Sequence, residues 1–317
     1  MYDNDGNERA ASYDYISEST FNAVSNGDTD WDYVETKSDF EALAEGSVES
    51  DKVFGLAQVE TTLQQGRSGG EAGQLPGEIA FNDNVPDLAT MSEGALNVLG
   101  QDDEGFHLMI EGGAIDWTGH ANDTTRNIEE TQDFNAAVES VVDWVEENSS
   151  WDETLLIVTA DHETGYLGGA EDDPNFTEMT GNAGELPTVG WSSGDHTNHL
   201  VPYFFKGAGS DAILNSTIGT DPVRGDYIDN VTVANLLKDE LWAEDTNEEE
   251  QRGNGPAKPA VPANPNGPGE PAAPATPAQG NGQGNGNPGN SNGKGNSNLP
   301  SLANENAHQN ANKNAGN

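Results

Sequence analysis

A long stretch of helical periodicity, set between two short apolar runs, constrains this chain more than any other feature. Over residues 124–147 the side chains Phe134, Val138, Val141, Val142 and Val145 fall on one helical face, and Asp123 stands where a helix-capping residue is favoured. Ahead of it, Phe106-His107-Leu108-Met109-Ile110 reads as a buried strand, with His107 packed inside it; behind it, Leu155 to Ala160 reads as a second. Val201 to Phe205 gives a third. Strand, helix and strand at this spacing predict an α/β fold with a largely parallel central sheet flanked by helices. Helices are also predicted at 90–99, around Phe40, Leu43 and Ala44, and over the stretch carrying Val231, Ala234, Leu237 and Leu241. The folded part is expected to span 1–245, with 1–85 polar, loop-rich and in need of support from elsewhere.

Beyond it, residues 253–317 hold no Phe, Tyr or Trp and turn from Pro-rich to Gly/Asn-rich. Such a segment buries too little apolar surface to offset its ordering entropy, so 246–317 is expected to be a disordered tail. Charge divides the chain in the same way. Of 12 basic and 56 acidic residues, the stretch from 253 onward carries Lys258, Lys294 and Lys313 against Glu270 and Glu305. That stretch nets +1, so the formal net charge of −44 belongs to residues 1–252, which carry 9 basic against 54 acidic residues, a net of −45. A field of that sign repels nucleic acid and anionic membranes, so neither is an expected partner. It fits a halophilic type of surface, whose self-repulsion salt screens. No window is apolar for long enough to suggest a membrane span, and the first residues show no signal peptide. With no cysteine in the chain, any metal must be held by His, Asp and Glu.

Residues of that kind gather at the predicted strand ends. Glu111 follows the first strand; Asp116 comes five residues later and His120 four after that, one turn apart if the segment is helical. Asp161 and His162 follow the second strand, and His196 precedes the third. In open α/β sheets sites form beyond the carboxyl ends of strands, where Glu111 and the Asp161–His162 pair fall. Singly, each pattern is usually a loop, a cap or a solvated helix face; their joint placement predicts divalent-metal binding. His199 reads as a surface or supporting residue and His308 as a solvated one in the tail.

Three segments, LMIEGGAIDWTGHAND, LLIVTADHETG and GDHTNHLVPYFFKG, resemble in order and separation the metal-binding segments of alkaline phosphatases. The resemblance covers roughly residues 1–245 and is strongest over 87–206. It implies that Asp116, His120 and His196 hold a first zinc, Asp161 and His162 a second zinc, and Glu111 a magnesium. It also implies hydrolysis of phosphate monoesters by in-line displacement between two Lewis acids, a homodimer, and a periplasmic or extracellular location. In two respects the chain departs from the family pattern. No Asp-Ser-Ala segment following an apolar strand supplies the Ser or Thr nucleophile, so the chain reads as the C-terminal part of such an enzyme, its fold incomplete at the N-terminus. It is expected to be weak or inactive alone, with a complementing N-terminal half as a possible partner. Ala114 also stands where the family often has Arg or Gln, and Trp117 at a position where members differ. The alternative reading is a non-catalytic secreted metal-binding or surface protein derived from a phosphatase. Sulfatases and phosphoglycerate-mutase-like enzymes share an Asp-His pair, and the Glu-x4-Asp-x3-His run and DHTN segment separate the chain from them.

Overall fold

The computed structural model describes residues 2–70, 73–170, 177–241 and 308–311. The N-terminal region is more regular than its polarity suggests. Helix α1 (Glu18–Ser25) precedes a small β-α-β unit: strand β1 (Asp32–Val34), helix α2 (Lys37–Ala44) and strand β2 (Val53–Gly55), the two strands parallel. The α2 start is fixed by a reciprocal pair of bonds, Thr36 capping the Asp39 N–H and Asp39 accepting from the Thr36 N–H. Val34, Phe40 and Leu43 form a small buried core with Val53, Met91 and Val98 around it.

Helix α3 (Leu88–Leu99) packs against both α2 and the long helix α5 (Thr124–Asn148), and the short helix α4 (Ala114–Ala121) lies against α5. Asp123 caps α5 through the Arg126 N–H, as the sequence predicts. Val142 and Val145 are buried on the expected face; so, unexpectedly, are Arg126, Glu129 and Glu130. The polar trio explains how the irregular residues 56–87 are held. Arg67 of that region reaches Glu129 at 2.8 Å, donates to the carbonyls of Gln64, Ile79 and Ala80, and lies over the Phe81 ring.

From residue 155 the chain makes one long, nested excursion. Strand β3 (Leu155–Val158) pairs antiparallel with β8 (Leu200–Gly207). Inside that pair lie β4 (Glu163–Thr164) with β7 (His196–Thr197), and β5 (Leu167–Gly168) with β6 (Gly190–Trp191). The sheet continues beyond helix α6 (Ser210–Leu214) with β9 (Gly219–Asp221), β10 (Gly225–Ile228) and β11 (His308–Ala311), in the order β3-β8-β11-β10-β9. Helix α7 (Asn230–Leu236) follows β10, and Tyr203, Phe205, Ile213, Ile228 and Leu236 form the core there.

Three expectations change. The five-stranded sheet is mainly antiparallel; its one parallel pair is β10 with β11. The reason lies between β3 and β8, where the connection is nested hairpin rather than the helical crossover that parallel strands need. Residues 106–110 form no strand: they run without a ladder, Met109 is 77% exposed and His107 is exposed rather than packed. An apolar run becomes a strand only beside a neighbour that takes its backbone hydrogen bonds, and here Phe106 merely packs its ring edge-on to Trp144. Of the expected tail, His308–Ala311 is a strand between β8 and β10; the rest of 246–317 lies outside the described residues. No helix among the described residues is long and apolar enough to cross a membrane.

Candidate metal centre

Asp116 and His120 lie in α4 at positions one turn apart and share a face. His196 arrives from β7, carried there by the return limb of the nested excursion. Among the described residues, these three bring ligand atoms within 4.8 Å of one another. The closest approaches are His120 Nε2 to His196 Nε2 at 3.0 Å, His196 Nε2 to Asp116 Oδ1 at 3.3 Å, and His120 Nε2 to Asp116 Oδ2 at 3.5 Å. His120 Nδ1 is 2.7 Å from the Gly194 carbonyl, which only accepts, so Nδ1 carries the proton. In the neutral imidazole, Nε2 then presents a lone pair toward His196 and the carboxylate.

His162 adjoins the trio, its ring stacked on that of His196 with centroids 3.6 Å apart. Asp161 Oδ2 is 3.4 Å from His162 Nε2 on an otherwise exposed side chain. Glu111 stands apart from the cluster: it precedes α4 and its carboxylate folds over Gly113. The structure thus brings Asp116, His120 and His196 together, stacks His162 on His196 with Asp161 next to His162, and leaves Glu111 outside the group.

Two glycines make the approach possible. A Cβ on Gly119 of α4 would lie 2.8 Å from the Thr164 carbonyl oxygen. A Cβ on Gly165, at φ +90°, would lie 2.6 Å from the Trp191 ring and 2.8 Å from the Gly119 carbonyl, so any side chain there would push α4 off β4. Three further residues hold the cluster and went unnoticed in the sequence. Thr164 donates to Asp116 Oδ1. Gly194 orients His120 through its carbonyl. Asn122, in the left-handed conformation at φ 51°, ends α4 and donates to the Gly119 and Ser193 carbonyls at 2.7 and 2.8 Å. Only the Thr-Gly that follows Asp161-His162-Glu163 offered a signal, since a short polar residue and a glycine beside ligand-type residues suggest close packing.

A sequence profile of the alkaline phosphatase family matches residues 22–183, just over half of the chain. The chain belongs to the alkaline phosphatase family. It is 39% identical over 100 residues to alkaline phosphatase 3 of Bacillus subtilis (strain 168), covering 31% of this chain and 21% of that protein. To the alkaline phosphatase of Escherichia coli (strain K12) it is 40% identical over 81 residues, 26% of this chain and 17% of the relative. The chain thus spans about a fifth of the length of these curated relatives. A solved cold-active alkaline phosphatase from the psychrophile Shewanella sp. aligns with 62% of this chain and 58% of its own, at 21% identity and a TM-score of 0.45. The stretch matched to the alkaline phosphatase family holds Glu111, Asp116, His120, Asp161 and His162 and stops short of His196. The meeting of His196 with the α4 ligands therefore rests on the geometry of this chain.

Proposed function

We propose that this chain carries the zinc-binding part of a phosphomonoesterase centre. Asp116, His120 and His196 would hold one zinc, Asp161 and His162 a second, and Glu111 a magnesium. The observation that carries the reading is the gathering of two imidazole nitrogens and a carboxylate oxygen within 4.8 Å of one another, with no Lys or Arg paired to Asp116 among the described residues. A tetrahedral ion about 2.0–2.1 Å from each donor sets those donors roughly 3.3 Å apart. The two imidazole nitrogens here stand 3.0 Å apart, and each lies 3.3 to 3.5 Å from one or other oxygen of the Asp116 carboxylate, distances of that order. Imidazole nitrogens and a carboxylate oxygen, without thiolate, are also a donor set zinc accepts. The openness of the site suits a broad range of leaving groups: Asp116 is 32% exposed and His196 50%.

When bound, such ions supply Lewis acidity toward the oxygens of a phosphate monoester. The residues of the chain orient the donors and fix their tautomers. The substrates would be phosphate monoesters, whose charge is otherwise repelled by a chain of net charge −44, so local cations are needed for binding at all. A periplasmic or extracellular location and a homodimeric assembly, or one with a complementing half, accompany this reading. The 317 residues contain no Asp-Ser-Ala nucleophile segment, so turnover by this chain alone is expected to be weak or nil. That same feature favours the second reading, a secreted metal-binding protein without catalysis.

The test is to dialyse the full chain against zinc and magnesium, count bound metal, and assay p-nitrophenyl phosphate at alkaline pH. Two bound zincs with little hydrolysis is the expected result. No retained zinc would overturn the metal-centre reading, and rapid turnover would overturn the expectation of weak activity.

A further inference from the structure

Resting on the metal-centre reading above, we infer that Thr164 is a positioning residue whose single hydroxyl locks the ligands of both ion sites. Thr164 adjoins one ligand of each proposed ion site and the strand that carries His196. Its Oγ1 donates to Asp116 Oδ1 of the trio. The same oxygen lies 3.3 Å from His162 Nδ1 of the neighbouring pair. In the β4–β7 ladder it stands directly opposite His196. Its Cβ and methyl group pack against Gly119, one residue before His120.

The proton count fixes the direction of this chain of bonds. A threonine hydroxyl has one hydrogen, and Thr164 gives it to Asp116. The contact with His162 therefore has Nδ1–H donating to Oγ1, which leaves the lone pair of His162 on Nε2. His162 Nδ1–H to Thr164 Oγ1–H to Asp116 Oδ1 is thus one directed relay linking a ligand of each site. It turns His162 Nε2 outward for an ion and leaves Asp116 Oδ2 free for the other. Gly194 does the same for His120 by accepting from its Nδ1. Groups that orient a metal's ligands in this way typically change affinity about 10–100-fold when removed.

The experiment compares the full chain with Thr164→Val and Thr164→Ser, reading zinc affinity by competition with a chromophoric chelator. The urea unfolding of each zinc-free protein is measured alongside. Valine keeps the shape and removes the hydroxyl; serine keeps the hydroxyl and removes the methyl. The expected result is a loss of about 10–100-fold in zinc affinity for Thr164→Val. Thr164→Ser should bind within about threefold of the parent, on the same reasoning. The zinc-free Thr164→Val chain should unfold close to the parent. If the parent binds zinc and Thr164→Val binds it equally well, the role of Thr164 is overturned while the metal centre stands. Equal weakening in both variants, or a Thr164→Val chain that no longer folds, would make the residue a packing element and overturn the hydroxyl relay. A parent chain that binds no zinc would overturn the metal-centre reading itself.

Discussion

Two acidic clusters lie on neighbouring helices of this chain, and they differ in where their positive charge comes from. On α5, Glu129 is buried between Arg67 at 2.8 Å and Arg126 at 3.0 Å, and its other oxygen accepts from the Gly77 N–H at 2.9 Å. Burial pushes this carboxyl up, but the Gly77 N–H, Arg67 and Arg126 outweigh it and hold it below the usual range. On α4, Asp116 meets two imidazoles and a hydroxyl, and the centre stays open to solvent. A chain with 12 basic residues against 56 acidic ones has spent two arginines to close the first cluster. The second has no Lys or Arg paired with it among the described residues, and in the proposed function a metal ion would supply that charge.

The comparison breaks most severely at Arg67. Replacing it with alanine leaves the buried Glu129 with only Arg126 and the Gly77 N–H and frees the 64–80 region, and such losses cost about 3–5 kcal/mol. Urea unfolding should show that drop, and an effect below about 1 kcal/mol would place Arg67 among weak surface pairs. Next in size is His196→Ala, which removes a proposed ligand. Its zinc affinity should fall beyond the roughly 100-fold that removing an orienting group costs, while urea unfolding of the zinc-free chain barely changes. The two substitutions should therefore separate cleanly, one in stability and one in binding.

A third test sharpens the contrast through the next residue along α5. Glu130 is buried like Glu129, but its Oε1 has no hydrogen-bond partner among the described residues. Burial, helped by Asp133 and Glu129 and opposed by Arg67 and Arg126, raises its pKa from 4.5 to about 7. The folded chain keeps this proton up to about pH 7, whereas the unfolded chain releases it near pH 4.5. The associated stability is therefore full below pH 4.5 and is lost as pH rises through about 7. Glu130→Gln removes that dependence. Between pH 4.5 and pH 8 the unfolding free energy of the variant should gain on the parent by about 1–3 kcal/mol. Parallel profiles would show that Glu130 titrates normally. The smallest expected effect is Asp123→Ala at the start of α5, which should cost about 1 kcal/mol in urea unfolding through the lost cap and leave zinc affinity unchanged.

Local features were the ones legible in the sequence. Helix α5 and its Asp123 cap follow from spacing alone, and Asp116 and His120 share a face because four residues make one turn. What brings His196 to them is the nesting of β4–β7 inside β3–β8, a pairing between residues 76 apart from His120 that no periodicity encodes. The same nesting explains why the sheet was expected to be parallel: Leu155–Val158 and Leu200–Gly207 look alike as apolar runs whichever way they pair. Residues 106–110 mislead for a related reason, since apolar character speaks for burial but not for the neighbour that would complete a ladder. Arg67 and Glu129, 62 residues apart, were hidden because each alone looks like an ordinary surface charge.

The most direct test of the account is zinc K-edge X-ray absorption on the full chain loaded with one equivalent of zinc. The account predicts nitrogen and oxygen neighbours at about 2.0–2.1 Å with the outer-sphere scattering of two imidazoles, lost in part in His196→Ala. A spectrum of water oxygens alone, or one unchanged by that substitution, would contradict it.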